Sequence, residues 1–325
     1  MQKFQHIVNI ETKKGAKKLD AEYMFYSSNL LHGKKVLEEC HSIKEAVEVE
    51  RGTIKIASCA FNSCDLKEVK LPDSLESIEP HAFFNCQNLH KIVFGKDIKT
   101  IENDSFVNCP TINEIVFPEN TKIINELCKH YDTMPPIEYN AAKYSLQALI
   151  RIAIKSESRE MMIAEKDKTK KLRNFFKSGI PESSVKLTVG RKSIWIPKAV
   201  SPIDEYSLKN ALTFWLRLGG HDDFMLDYAP TRISRLSMAV EMYAIDKNKK
   251  AKEYLKVCMT DVVQQLIRIG DNEALTGVIK LGLINAENFN KVLEFLINSQ
   301  KTEAAAYVMA QMKEQNIPLR PDLTL

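Results

Sequence analysis

Hydrophobic positions in the first half of the chain repeat with a period of 22 and then 23 residues. The three aligned blocks begin at Ile56, Ile78 and Ile101. In the first block, Leu66, Val69 and Leu71 alternate with polar residues at period two, which predicts a short strand. Proline ends this tract at Pro72 and the third one at Pro118. The pattern therefore predicts a repeat built of short strands and turns.

Alignment of the blocks places apolar residues in three columns. The columns consist of Phe61, Phe83 and Phe106; of Cys64, Cys86 and Cys109; and of Leu66, Leu89 and Ile112. A single block cannot bury its own apolar side, so stacked coils are expected to bury these columns in one core. A degenerate fourth coil is expected before them, because Val47, Val49 and Ile56 keep the spacing of the later tracts.

The motif A-F-x-x-C…L-x-x-I-x-L-P, over about residues 45–125, resembles the BspA-type leucine-rich repeats. The resemblance implies a right-handed solenoid with a parallel sheet on its concave side. The family is common in gut and oral bacteria and in some protozoan parasites, and many of its members are secreted or surface proteins that bind host or bacterial partners. This chain departs from them because its N-terminal sequence shows no export signal.

In such a coil, the strand residues between the buried columns face the concave surface and are the predicted partner-binding residues. They are Glu68, Lys70, Lys91, Val93, Glu114 and Val116. Val93 and Val116 would form an exposed apolar stripe with charge on either side. Isolated valines exposed on a sheet are also ordinary, so the stripe by itself does not establish a binding site.

The second half shows apolar residues at i, i+3, i+4, i+7 and i+8, which predicts amphipathic helices. The pattern occurs in the segments Leu146–Ile154, Leu208–Leu216, Leu236–Ala244 and Phe289–Ile297. Gly219, Gly270 and Gly282 fall where helices should end. A helix pair recurs after about 30 residues, close to the ankyrin period of about 33. The Thr-Pro-Leu-His start of that motif is absent, so ankyrin-like repeats and generic helical hairpins fit equally well.

The predicted fold class is α+β, a short leucine-rich-repeat β-solenoid followed by an all-α helical-repeat domain. Four parts are expected along the chain. They are an N-terminal cap region (1–39), the solenoid (40–127), a basic connector with a helix and a β-hairpin (128–200), and a helical-hairpin, ankyrin-like domain (201–325). The hairpin is placed around Gly190 by the two apolar tracts that flank it.

Charge divides the chain in a similar way. Residues 43–127 hold 9 Lys/Arg and 14 Asp/Glu, whereas residues 141–200 hold 14 basic and 5 acidic residues. The 325 residues together carry a net charge of +4. No apolar run reaches the roughly 18 residues of a membrane helix, so no membrane insertion is expected. We therefore expect a cytoplasmic protein whose seven cysteines stay reduced.

The candidate chemistry is sparse. The cysteine spacing of about 22 residues equals the repeat period and differs from the close pairs of zinc sites, so we expect buried thiols and neither metal nor cofactor. His221, Asp222 and Asp223 form a tight cluster that could be a hydrolase site, but the preceding Gly219-Gly220 favours a polar loop. Because nucleotide-loop and hydrolase motifs are absent, the chain is not expected to be an enzyme.

The predicted function is therefore non-enzymatic binding of a protein partner through the repeat surfaces. The alternative is nucleic-acid binding through residues 166–195, whose cations could neutralise phosphates and whose Phe175, Phe176 and Trp195 could stack on bases. The candidate contacts are Lys168, Lys170, Lys171, Arg173, Arg191 and Lys192. The other interpretation is a solvated helix face with Leu172, Phe175 and Phe176 buried.

Overall fold

The structure is a computed structural model that describes most of the chain. The described residues are 4–5, 23–29, 34–42, 44–102, 104–119, 165–201, 204–218 and 222–318. They fall into two compact units, treated separately below. The solenoid unit comprises Met1–Ser156, Val185–Ile196 and Ile203–Asp222, and the helical unit comprises Glu157–Ser184, Pro197–Pro202 and Asp223–Leu325.

One sheet of the solenoid unit runs from the N-terminal strands into the coils. Its strands are β1 (Phe4–Gln5), β2 (Tyr23–Asn29), β3 (Lys34–His41), β5 (Thr53–Ile56), β7 (Ser77–Ile78) and β9 (Thr100–Ile101). They lie in the order β1-β2-β3-β5-β7-β9. Strand β2 is antiparallel to β1 and β3, whereas β3, β5, β7 and β9 pair in parallel. Strand β3 crosses the predicted boundary between residues 39 and 40.

The second sheet contains the tracts that the sequence predicted as strands. Its strands are β4 (Ala46–Glu48), β6 (Glu68–Lys70), β8 (Lys91–Val93), β10 (Glu114–Phe117), β11 (Ser184–Val189) and β12 (Lys192–Pro197). They lie in the order β12-β11-β10-β8-β6-β4. Strands β4, β6, β8 and β10 pair in parallel, with Val47 opposite Val69 and Val69 opposite Ile92. The degenerate coil before the three clear ones is thus present.

The predicted columns form the core of the solenoid. Phe61 and Phe83 stack with ring centroids 4.5 Å apart, and Phe83 and Phe106 stack at 4.6 Å. Phe94 and Phe117, which follow β8 and end β10, stack at 4.4 Å. All five rings are buried. Because the coils repeat in register, equivalent aromatic side chains lie above one another, and the prediction of a stacked core is confirmed.

The cysteine column has a specific hydrogen-bonding role. Cys64 Sγ donates to the carbonyl of Cys40 at 3.1 Å, and Cys86 Sγ donates to the carbonyl of Phe61 at 3.0 Å. Cys109 Sγ donates to the carbonyl of Phe83 at 2.9 Å. Each thiol therefore donates to a buried carbonyl of the preceding coil. This role explains why cysteine, a small and largely apolar side chain with one donor, occupies the position.

The β-hairpin predicted within the connector is present, but it extends the second sheet. Strand β11 pairs in parallel with β10, and Leu187 lies opposite Ile115 as the equivalent residue of another coil would. Gly190, at the hairpin turn, has φ +60°, and a Cβ there would lie 2.4 Å from Glu119 Cβ. The turn therefore needs glycine both for its left-handed backbone and for its contact with Glu119.

The described residues of the second half form seven α-helices and one 3₁₀-helix (Asp222–Tyr228). The α-helices are α1 (Glu165–Ser178), α2 (Glu205–Leu218), α3 (Arg232–Asp246), α4 (Lys249–Ile269), α5 (Asn272–Ile279), α6 (Phe289–Asn298) and α7 (Thr302–Glu314). The helices predicted at 208–216, 236–244 and 289–297 are confirmed. The predicted segment 146–154 lies outside the described residues, as does Gly219.

Within the helical unit, α4 packs against α3, α5 and α6, and α6 packs against α7. Gly270 ends α4 with φ +76°, and its N–H donates to Leu266 and Ile267, as the sequence predicted. Helix α1, predicted as part of the connector, packs against α3 and α5. A Cβ at Gly277 of α5 would lie 2.3 Å from the Phe176 ring, so the two helices touch closely there. None of the described helices is long and apolar enough to cross a bilayer.

Candidate partner-binding face

The residues predicted to bind a partner lie in two rows across β6, β8 and β10. We call Glu68, Lys70, Lys91, Val93, Glu114 and Val116 the strand face. In one row Glu68 lies opposite Lys91 and Lys91 opposite Glu114. In the other row Lys70 lies opposite Val93 and Val93 opposite Val116. The intervening Val69, Ile92 and Ile115 are buried, so the strand face lies on the side of the sheet away from the core.

Ion pairs compensate charged side chains in both rows of the strand face. Lys91 and Glu114 form an ion pair at 3.5 Å, and Lys70 pairs with Glu48 of β4 at 3.0 Å. Exposed pairs of this kind contribute only about 0–1 kcal/mol to stability. The two lysines and two glutamates of the face cancel, and the surface carries alternating charge without net charge.

The apolar part of the strand face consists of two adjacent valines. Val93 and Val116 are neighbours in the register, and both are partly exposed. They form a narrow stripe rather than a large apolar patch. Such a stripe can offer one apolar contact beside the charged side chains of the neighbouring row.

The structure adds residues to this face that the sequence did not indicate. Lys186 of β11 lies opposite Glu114, and Thr188 lies opposite Val116, so both rows continue onto the hairpin. Lys186 Nζ lies 5.7 Å from the centroid of the Trp195 ring, a cation–π contact on β12. The alternation of Val185, Leu187 and Val189 resembles that of the coil strands, but it does not reveal which strand they pair with.

The cations predicted for nucleic-acid binding are divided between the two units. Lys170, Lys171 and Arg173 lie on α1 in the helical unit, whereas Arg191 and Lys192 are exposed at the hairpin turn of the solenoid unit. Lys168 also lies on α1, in a part whose side chains are outside the described residues. The structure does not test whether these residues act together, and nucleic-acid binding stays a prediction.

Arg173 has a defined partner within the helical unit. Its Nε donates to Asp271 Oδ1 at 3.0 Å, and its Nη2 lies 3.0 Å from Asp271 Oδ2. The Asp271 carboxylate raises the pKa of the Arg173 guanidinium. Asp271 also accepts the N–H of Ala274 at 3.2 Å and so caps α5. Arg173 therefore holds α1 to the start of α5.

The aromatic residues of the predicted nucleic-acid segment pack within the fold. Phe175 and Trp195 are 4% and 3% exposed, which leaves almost no ring surface for a base to stack on. Phe176 contacts Gly277, and Leu172 is fully buried. These contacts match the alternative interpretation of α1 as a helix with one buried face.

The remaining candidate chemistry falls in the coils and near position 222. Among the described residues, no three or more His, Cys, Asp or Glu side chains are grouped so that they could hold a metal ion. The neighbouring Cys109 thiol and burial raise the pKa of the Cys86 thiol, which keeps it protonated. His221 lies outside the described residues, and Asp222 and Asp223 begin the 3₁₀-helix in a part whose side chains are not described.

A second buried acid, besides Asp271, lies in α3. Glu241 of α3 is fully buried, and its Oε1 accepts the N–H groups of Glu182 and Ser183, each at 2.9 Å. Its Oε2 accepts the hydroxyl of Ser184. Burial raises the pKa of this carboxyl. No pattern in the sequence indicated it, because Glu241 occupies one position in an otherwise ordinary amphipathic helix.

Comparison with known proteins agrees with the repeat pattern of the first half. Residues 32–132 match the family described as "BspA type Leucine rich repeat region (6 copies)". This part of the chain is thus a leucine-rich-repeat solenoid similar to that family, as its sequence predicted. The match does not include the helical unit, so the ankyrin-like assignment of that unit stays a prediction. No curated protein matches the chain.

Two solved structures each resemble 30% of the chain. One is a T. pallidum leucine-rich-repeat protein, TpLRR, with 21% identity and a TM-score of 0.28; the match covers 30% of this chain and 52% of that one. The other is a leucine-rich cell surface protein from Faecalibacterium prausnitzii, with 25% identity, a TM-score of 0.23, and coverage of 30% and 32%. The chain therefore spans about half of the first protein and a third of the second.

Proposed function

We propose that this chain is a non-enzymatic protein-interaction protein that binds its partner through the strand face. The observation that carries the proposal is the register of β6, β8 and β10, which places the face residues in two aligned rows. Parallel pairing spaces neighbouring side chains at about 4.8 Å and holds them on a stacked, buried core. Elongated repeat surfaces of this kind are commonly used for binding.

The composition of the strand face indicates what it would recognise. Lys91 lies beside Glu114, so the face offers a cation and an anion next to each other. A partner with complementary alternating charges, and an apolar side chain for Val93 and Val116, would match both rows. The absence of net charge on the face favours a protein partner over a polyanion.

A pull-down from lysate of the source organism tests the proposal. The wild-type chain is compared with the double substitution Val93→Asp and Val116→Asp, both with nuclease present. Val107→Asp is the matched control, because Val107 is 37% exposed in the same solenoid but lies outside the strand face. We expect a stoichiometric protein partner with the wild type and the control, and its loss with the double substitution. Equal recovery with all three chains would contradict the proposal.

We also propose a cytoplasmic location. The support is the role of Cys64, Cys86 and Cys109 as thiol donors to buried carbonyls, which a disulfide-bonded sulfur cannot fill. A reducing compartment maintains that role. Fractionation of the source cells, with an antibody against the chain, tests this location; recovery from the cell surface or the medium would contradict it.

A further inference from the structure

A buried polar cluster lies at the base of the β11–β12 hairpin, within the helical unit. We call it the anchor cluster; it consists of Glu241, Ser183, Ser184, Lys198 and the N–H of Glu182. The side chains of Glu241 and Ser184 have no exposed surface, and Lys198 is 5% exposed. Burying ionisable groups costs free energy that apolar side chains of similar volume would not cost. The cluster therefore needs a reason other than filling the core.

Glu241 holds the residues that lead into β11. Its Oε1 accepts the N–H groups of Glu182 and Ser183, each at 2.9 Å, and its Oε2 accepts the hydroxyl of Ser184. Polar groups of three consecutive residues thus converge on one side chain. In its ionised form, a carboxylate accepts stronger hydrogen bonds than a neutral oxygen does. The arrangement fixes the place of this segment along α3.

The chain that leaves the hairpin joins the same cluster. The N–H of Lys198, directly after β12, donates to the carbonyl of Ser183 at 2.9 Å. Burial raises the pKa of Glu241, and the charge of Lys198 acts in the opposite direction. Both ends of the hairpin are thus held near one buried side chain, because Ser184 begins β11 and Pro197 ends β12.

The register of β11 against β10 is what such an anchor would set. Lys186 and Thr188 continue the two rows of the strand face, whereas Val185 and Leu187 are buried. A slip of one residue would exchange the outward and inward sets, because side chains alternate along a strand. The ladder between β10 and β11 has only four residue pairs, so it resists a slip weakly. A segment fixed at Ser184, two residues before Lys186, leaves little freedom for that slip.

We propose that Glu241 is a positioning residue for the strand face, because it anchors the start of β11 and so keeps Lys186 and Thr188 in the two rows. The effect on partner binding rests on the proposed function, whereas the anchoring of β11 does not. The inference adds a residue that no partner would touch, since Glu241 has no exposed surface.

Hydrogen exchange of the full chain, followed by mass spectrometry, tests the anchor. Glu241→Met keeps a side chain of similar length and removes both acceptor oxygens. Exchange of the amides of residues 184–197 should become at least about tenfold faster, because hydrogen bonds to a charged acceptor oppose local opening. Glu241→Gln keeps one acceptor oxygen for the two N–H groups and should exchange at a rate close to that of the wild type.

Two further variants separate the anchor from a general loss of stability. Val263→Ala is the matched control, because Val263 is fully buried in α4 of the same unit but lies outside the anchor cluster. It should lower the thermal midpoint without selectively speeding exchange in the hairpin. Ser184→Ala removes a single donor and covers the case in which Glu241→Met does not fold. It should speed exchange in the same segment by a smaller factor.

The pull-down used for the strand face separates the anchor from the proposed function. Where the wild type captures a partner, Glu241→Met should capture less of it, and Val263→Ala should capture the same amount as the wild type. If the wild type captures nothing, the proposed function fails, and the exchange rates alone decide whether Glu241 anchors β11.

Three outcomes would overturn the proposal. The first is equal exchange of residues 184–197 in the wild type, Glu241→Met and Ser184→Ala. The second is faster exchange in Glu241→Met that spreads evenly over the helical unit, as general destabilisation would produce. The third is full capture of the partner by Glu241→Met although its hairpin exchanges faster, which would show that the strand face does not need this anchor.

Discussion

The carboxylate of Glu241 shows how a single residue organises the chain around it. It lies in α3 with no exposed surface, yet two backbone N–H groups and the hydroxyl of Ser184 surround its oxygens. Such donors offset part of the cost of burying charge. Burial still raises the pKa of this carboxyl, while the hydrogen bonds and the charge of Lys198 act in the opposite direction.

The direction of this pKa shift predicts how Glu241 affects stability. A raised pKa means that the folded state binds the proton more tightly than the unfolded state, whose ordinary value is 4.5. The contribution of Glu241 to stability is therefore greatest below that pH and declines as the pH rises through the raised pKa. Urea unfolding of the wild type and of Glu241→Gln is measured from acid to neutral pH. The free energy of unfolding of the wild type, minus that of the variant, should fall as the pH rises. A difference independent of pH would contradict the shift.

At the scale of elements, the β11–β12 hairpin depends on one turn residue. Gly190 combines φ +60° with a position where a Cβ would come within 2.4 Å of Glu119. Gly190→Ala should lower the free energy of unfolding by about 1–3 kcal/mol, from backbone strain together with steric overlap. Urea unfolding of the full chain measures the change.

Gly52→Ala is the matched control for this prediction. Gly52 also has a positive φ, +86°, but nothing lies within 4 Å of the position of its Cβ. It therefore reports the backbone cost alone, about 1 kcal/mol. If Gly190→Ala cost no more than Gly52→Ala, the contact with Glu119 would not be important for the hairpin.

The hairpin also shows which elements the sequence could predict. The coils were predictable because their columns repeat within one continuous stretch, as Phe61, Phe83 and Phe106 show. The two strands of the hairpin were predictable from local alternation. Their pairing with β10 was not, since Leu187 meets Ile115 across about 70 residues and a single sequence carries no signal for that register. The packing of α1 onto α3 and α5 was hidden for the same reason.

At the scale of the whole molecule, the basic and aromatic residues of the segment 166–195 suggested a nucleic-acid surface. The placement of the strand-face residues could be predicted, because it follows from the alternation within each coil. The ion-pair partners of the individual cations could not be predicted from the sequence. Arg173 forms an ion pair with Asp271, and Lys177 Nζ lies 3.1 Å from Glu273 Oε2. Part of the positive charge is therefore neutralised by ion pairs within the helical unit.

This distribution of charge predicts that partner binding does not depend on the cations of α1. Lys170→Glu with Lys171→Glu reverses two of them and leaves Arg173 in place, because its loss would uncouple α1 from α5. Lys280→Glu with Lys313→Glu gives the same change in net charge at exposed positions elsewhere. The amount of partner captured should be equal for both variants and the wild type, and it should change little between about 50 and 200 mM salt.

A surface with six or more phosphate contacts would instead lose about a thousandfold in affinity over that range. Such a loss in the wild type, together with loss of capture only in the α1 variant, would replace the protein-interaction proposal with nucleic-acid binding.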